Sequence, residues 1–122
     1  MTDQASAEVT VLIVEDDYLI AESLRGFIEG MGHAIAGPVA SVRDALDRLD
    51  GRVSVALVDI NLGGEPITPL VTALREADIP FAFLSAYANA GRIGADLNDV
   101  PFFPKPVSRA VAIKAVTLLL SL

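Results

Sequence analysis

The chain has 122 residues, 52% of them hydrophobic, and 16 acidic residues against 9 basic ones give a net charge of −7. That length and apolar content suit one domain burying about two-thirds of its unfolded surface, and they exclude global disorder. The absence of cysteine excludes disulfides and thiolate metal sites, while the lone His33 cannot assemble a histidine cluster or a catalytic triad.

The acid excess repels a nucleic-acid backbone and suits a hard cation. No apolar run reaches the ~20 residues of a membrane span, because Arg109 and Lys114 break the C-terminal candidate. Met1 to Glu8 carries no leader pattern. A cytoplasmic domain is therefore expected, over residues 9–122, behind a frayed tail at 1–8.

Val9 to Val14 reads as a first strand, followed by Glu15-Asp16-Asp17. Ile20, Leu24, Phe27, Ile28 and Met31 then recur at helical spacing, and Gly32 suits the C-terminal cap. Three acids in a row exceed what a helix N-cap requires, although the dipole there favours negative charge. Ala34 to Val39 is a short second strand. Ser41 opens a pattern resembling a capping box, with Asp44 at its third helical position. Val42, Ala45, Leu46 and Leu49 supply that helix's buried stripe, and Gly51 ends it.

Val53 to Val58 is a near-continuous apolar run, as in a strand buried on both faces. Asp59 stands where this strand leaves the sheet, ahead of Asn61 and the Gly63-Gly64 turn. A carboxylate there suits a nucleophile, a metal ligand or a structural cap. A third helix starts near Pro66 or Pro69 and runs through Leu70, Val71, Leu74 and Ala77.

Ile79 to Leu84 is a fourth buried strand, ending in Ser85-Ala86-Tyr87. Tyr87 reads as a surface aromatic or a partner contact. Gly91 and Gly94 interrupt Ala88 to Asp99, which predicts a short helix or none. Pro101 to Phe103 is a brief fifth strand; Lys105-Pro106 follows, and Ser108 caps a final helix to about Leu120. Val111, Ala115, Leu118 and Leu122 are expected to face the sheet. Ile113, Val116, Leu119 or Leu120 would then lie partly outside as a patch suited to a homodimer.

The repeated β-α alternation demands a parallel sheet with helices on both faces. Strand C-terminal ends share one edge, so Glu15, Asp16, Asp59, Ser85 and Lys105 can converge. Three carboxylates offer oxygen ligands to Mg²⁺, and a carboxylate beside such a cation can attack a phosphoryl group. Lys105 and the Ser85 hydroxyl could then neutralise and hold phosphoryl oxygens.

The strings Val11-Leu12-Ile13-Val14-Glu15-Asp16-Asp17, Leu57-Val58-Asp59-Ile60-Asn61, Leu84-Ser85-Ala86 and Lys105-Pro106, in that order, resemble the receiver domain of two-component response regulators. The resemblance implies a flavodoxin-like, doubly wound five-stranded α/β sheet in the order 2-1-3-4-5. It implies that Asp59 accepts phosphate from a histidine kinase or phosphotransfer protein, and that a downstream protein partner reads the result. Mg²⁺ would be held by the Asp16 and Asp59 side chains, the Asn61 carbonyl and, through water, Glu15. Ser85 and Lys105 would hold phosphoryl oxygens, and Phe102 occupies the aromatic switch position.

Such a domain is a signalling switch rather than an enzyme. Asp59 to Glu65 and Pro80 to Tyr87 also look like alphaproteobacterial single-domain receivers whose fourth strand reads roughly Phe-Ala-Thr-Gly-x-Tyr. Leu84, Ser85 and Ala86 depart from that string, and Phe102 lacks the tyrosine hydroxyl common at its position. The alternatives are a phosphorylation-independent interaction module of the same fold and the receiver part of a hybrid histidine kinase. A hydrolase of the aspartyl-phosphate type is disfavoured, because Asn61 cannot serve as a general acid.

Overall fold

A computed structural model of the chain describes residues 8–86, 97 and 99–122. The expected tail apart from Glu8, Tyr87, and the interrupted segment from Ala88 apart from Leu97 and Asp99 lie outside the described residues. Among the described residues the strands are β1 (Thr10–Val14), β2 (Ala34–Val39), β3 (Val55–Asp59), β4 (Phe81–Ser85) and β5 (Phe102–Pro104). The helices among the described residues are α1 (Tyr18–Glu29), α2 (Val42–Asp47), α3 (Thr68–Glu76) and α4 (Arg109–Leu120). Every strand pair is parallel and the order is β2-β1-β3-β4-β5, the flavodoxin-like arrangement.

Side-chain alternation along the strands decides which helices each residue meets. Val11 and Ile13, Val55 and Leu57, and Ala82 and Leu84 pack against Leu24 and Ile28 of α1 and Ala112, Ala115, Val116 and Leu119 of α4. Leu12 and Val14, Ala56 and Val58, and Phe81 and Phe83 pack instead with Val42 and Ala45 of α2 and Leu70, Val71 and Leu74 of α3. Because both faces are covered, β3 and β4 are buried along their whole length and lack polar alternation.

Local chemistry sets the helix ends. Asp17 caps α1, its Oδ1 accepting from the N–H groups of Leu19 (3.0 Å) and Ile20 (3.1 Å). Ser41 and Ser108 cap α2 and α4 in the same way. The end of α1 closes through Gly32, as the sequence predicts. Its N–H donates to Glu29 O, and the His33 N–H reaches Ile28 O, with Gly32 at φ +88°. Asp78, at φ +57°, closes α3 in the same pattern.

Two expectations need correction. α2 ends at Asp47 rather than at Gly51, because i→i+3 bonds from the Arg48 and Leu49 N–H groups tighten the chain into a turn. Leu46, inside the helix, is exposed rather than part of the buried stripe, while Leu49 still packs on the core. The inner stripe of α4 is Ala112, Ala115, Val116 and Leu119, so of the predicted stripe only Ala115 is buried. The two alanines allow close approach to β3, β4 and α1, and Leu118, Leu120 and Leu122 are left exposed.

The register of β1 with β2 slips between Leu12 and Val14, alongside Gly37 at φ +94°. A Cβ there would stand 2.7 Å from Val39 N, so only glycine fits. Beyond the slip, Val39 O accepts from the Glu15 N–H at 2.9 Å. That bond fixes the backbone of the first acidic residue at the sheet edge.

Candidate functional site

The parallel arrangement sends β1, β3 and β4 out of the sheet on one side, where their last residues meet. Glu15, just past β1, is buried at 3% exposure. Its Oε2 accepts from the Asp17 N–H at 3.0 Å, and its Oε1 lies 2.7 Å from Lys105 Nζ. Asp59, the last residue of β3, is also 3% exposed. Its Oδ1 accepts from the Asn61 N–H at 3.0 Å and lies 3.3 Å from Lys105 Nζ. Asp16 is exposed and joins no ion pair among the described residues.

Lys105 is held by its backbone, which donates from N–H to Ser85 O at 2.7 Å, and the Lys105–Pro106 bond is cis. Ser85 is buried at the end of β4, beside the register position of Pro104. Phe102, half-buried, sits opposite Phe83 and packs on the α2/α3 side of the core. Asn61 is exposed, two residues past Asp59.

One side-chain oxygen from each of Glu15, Asp16 and Asp59 lies within 4.8 Å of the others. Among the described residues, these three carboxylates lie together and one ammonium, that of Lys105, pairs with two of them. Burial pushes the Glu15 carboxyl above its ordinary range, Lys105 pulls it back, and the Asp59 charge adds to the rise. For Lys105 burial is the largest influence and acts downward, but the pull of Glu15 and Asp59 together outweighs it and raises the ammonium's pKa. The donor set is all oxygen and carries excess negative charge, which fits a hard divalent cation of the Mg²⁺ class.

The loop after Asp59 borders the cluster. Gly63, at φ +60°, is a neighbour of Asp16: a Cβ there would stand 3.4 Å from Asp16 Oδ2, in van der Waals contact. Glu65 Oε1 accepts from the Val42 N–H at 3.1 Å and so ties this loop to the start of α2. Sequence reasoning missed Glu65. The bond spans 23 residues, and no local pattern marks it.

No family model matches the chain. It is 30% identical over 128 residues to the phyllosphere-induced regulator PhyR of Methylorubrum extorquens, covering 92% of this chain and 48% of that protein. The chain thus spans about half, or less, of the length of the curated relatives it matches. Among solved structures, SdrG from Sphingomonas melonis Fr1 is 38% identical, with TM-score 0.80 over 93% of this chain and 98% of that one. The PhyR response regulator REC domain of Erythrobacter litoralis is 26% identical, with TM-score 0.77 over 97% and 94%. Receiver domains of this kind act as signalling switches rather than as enzymes with substrate turnover. The shared fold extends over nearly the whole length of such domains: the chain belongs to the response regulator receiver-domain family.

Proposed function

We propose that residues 9–122 form a phospho-accepting receiver in which Asp59 takes a phosphoryl group from a histidine kinase or phosphotransfer protein. The observation that carries this reading is the setting of Asp59: a buried carboxylate at the end of a central strand, 3.3 Å from an ammonium and beside two further acids. An Asp59 oxygen attacks phosphorus, the P–N bond of a phosphohistidine breaks, and the imidazole leaves with a proton from solvent. Glu15, Asp16 and Asp59 side chains and the Asn61 carbonyl would hold Mg²⁺, which supplies charge neutralisation for the transferring group when bound.

Lys105 carries the fixed positive charge. Its backbone bond to Ser85 and its two carboxylate partners support a role in holding phosphoryl oxygens beside the Ser85 hydroxyl. Phe102, paired in register with Phe83 one turn of the pleat from Ser85, is the packing element that transmits the change. The signal then passes to a protein partner. The exposed Leu118, Leu120 and Leu122 of the α4 region support a self-contact or partner surface there. No helix among the described residues is long and apolar enough to cross a membrane. We place the domain in the cytoplasm, where histidine kinases present phosphohistidine.

Phosphoramidate, a small P–N donor, tests the chemistry. With Mg²⁺, intact-mass analysis should show one added phosphate on the wild type and none on Asp59→Asn. Equal labelling of the two proteins would refute the assignment.

A further inference from the structure

We propose that Glu65 is the positioning residue for the loop that completes the cation site; this rests on the Mg²⁺ reading above. The loop leaves β3 at Asp59 and is anchored in the core by Leu62 and Ile67, which are 1% and 7% exposed. Between those anchors run Gly63, Gly64, Glu65 and Pro66, all exposed, with both glycines at positive φ. Two backbone bonds, Gly63 N–H to Asn61 O and Glu65 N–H to Leu62 O, shape the turn but stay inside the loop. A turn of two left-handed glycines is conformationally permissive, so internal bonds alone leave it free to pivot about its anchors.

Glu65 supplies a link out of the loop. Its Oε1 accepts from the Val42 N–H at 3.1 Å, and the Val42 side chain packs in the same core cluster as Leu62 and Ile67. The Val42 N–H is one of the groups that the first turn of α2 leaves unpaired; Ser41 Oγ is bonded to another, at Asp44. A carboxylate is well placed there, because the helix start favours negative charge. The consequence falls on the acidic edge. Gly63, two residues before Glu65, is the residue against Asp16, and Asn61 carries the carbonyl assigned to the metal. Glu65 therefore fixes the distance between the loop and the Glu15-Asp16-Asp59 cluster without touching the cation.

Glu65→Ala removes the acceptor; Glu65→Gln retains a carbonyl acceptor and is the rescue. In metal-free protein, amide exchange followed by NMR should accelerate at Val42, Gly63 and Gly64 in the alanine variant and return towards wild type in the glutamine variant. Mg²⁺ titration followed on the same amides should then give a midpoint about three- to tenfold higher for alanine, short of losing a ligand's direct hydrogen-bond partner, with most of the affinity restored by glutamine. Phosphorylation at saturating Mg²⁺ should stay within about twofold of wild type, because the reacting groups are intact. An unchanged Mg²⁺ midpoint in Glu65→Ala, whether or not Val42 exchange rises, would reduce Glu65 to a helix cap and overturn the proposal. Failure of the wild type itself to bind Mg²⁺ would overturn the metal reading, and this inference with it. Wild-type binding without phosphorylation would refute the phosphoacceptor assignment alone.

Discussion

Asp59→Asn should make the metal-free protein more stable, although it removes the proposed phosphoacceptor. The substitution forfeits the attraction to Lys105 across 3.3 Å, worth about 5 kcal/mol at an effective dielectric constant of ~20. It also removes the repulsion from Glu15. At 4.8 Å, the outer limit of their separation, that repulsion is about 3.5 kcal/mol on the same basis. Asp16 adds a further, solvent-screened repulsion. A carboxylate that is 3% exposed carries a desolvation penalty of several kcal/mol, most of which a neutral amide avoids.

The Asn61 N–H keeps an acceptor in the amide oxygen, so no hydrogen bond is orphaned. The two charge terms alone leave a loss of about 1.5 kcal/mol, and about 3–4 kcal/mol of relieved desolvation turns it into a gain of about 2 kcal/mol, an increase in Tm of roughly 6–10 °C for a domain of this size. Thermal unfolding by circular dichroism in chelator at neutral pH and low salt measures it. Adding Mg²⁺ should stabilise the wild type and scarcely affect the variant, narrowing the gap. An Asp59→Asn protein that melts below wild type in chelator would refute the reasoning, because carboxylate crowding would then not dominate the site.

Three further outcomes follow from the same geometry. Lys105→Met should cost about 3–5 kcal/mol in urea unfolding at neutral pH, since it strands two buried carboxylates; a loss below about 1 kcal/mol would contradict the ion-pair account. The Glu15 pKa lies above its ordinary value of 4.5 in the folded chain, so the native state binds the extra proton. Its contribution is fully present below pH 4.5 and is lost as pH rises through the raised value, and Glu15→Gln should remove that decline from the stability–pH profile of chelator-treated protein. Asp78→Gly should add about 0.5–1 kcal/mol of stability by relieving the left-handed backbone at φ +57°, read as a higher urea midpoint at unchanged slope.

Much of the fold was legible because the strands announce themselves. Val55 to Asp59 is buried at every position, which requires cover on both faces and hence a parallel sheet. The acidic edge followed from topology: once β-α alternation is accepted, Glu15, Asp59 and Lys105 must leave the sheet on the same side. The inner face of α4 was not legible. From Ala110 to Leu122 nearly every residue is apolar, so periodicity carries no phase, and close packing favoured Ala112 and Ala115 over Leu118. The extent of α2 failed for a related reason: Leu46 and Leu49 fit a helical stripe, but tertiary contact with the sheet was satisfied by Val42 and Ala45 before Gly51 was reached. Glu65 escaped notice because its partner is remote in sequence, and a lone glutamate after two glycines signals only a polar turn.

The central claim concerns one carboxylate, and trapping the phosphoryl group where it lands tests it most directly. Protein treated with phosphoramidate and Mg²⁺ is reduced with borohydride, which converts an aspartyl phosphate to homoserine, and peptides are then mapped by mass spectrometry. Conversion confined to residue 59, and absent when Mg²⁺ is chelated, is the predicted result. Conversion at Asp16 or Asp17, or none at all in a protein that demonstrably binds Mg²⁺, would contradict the account.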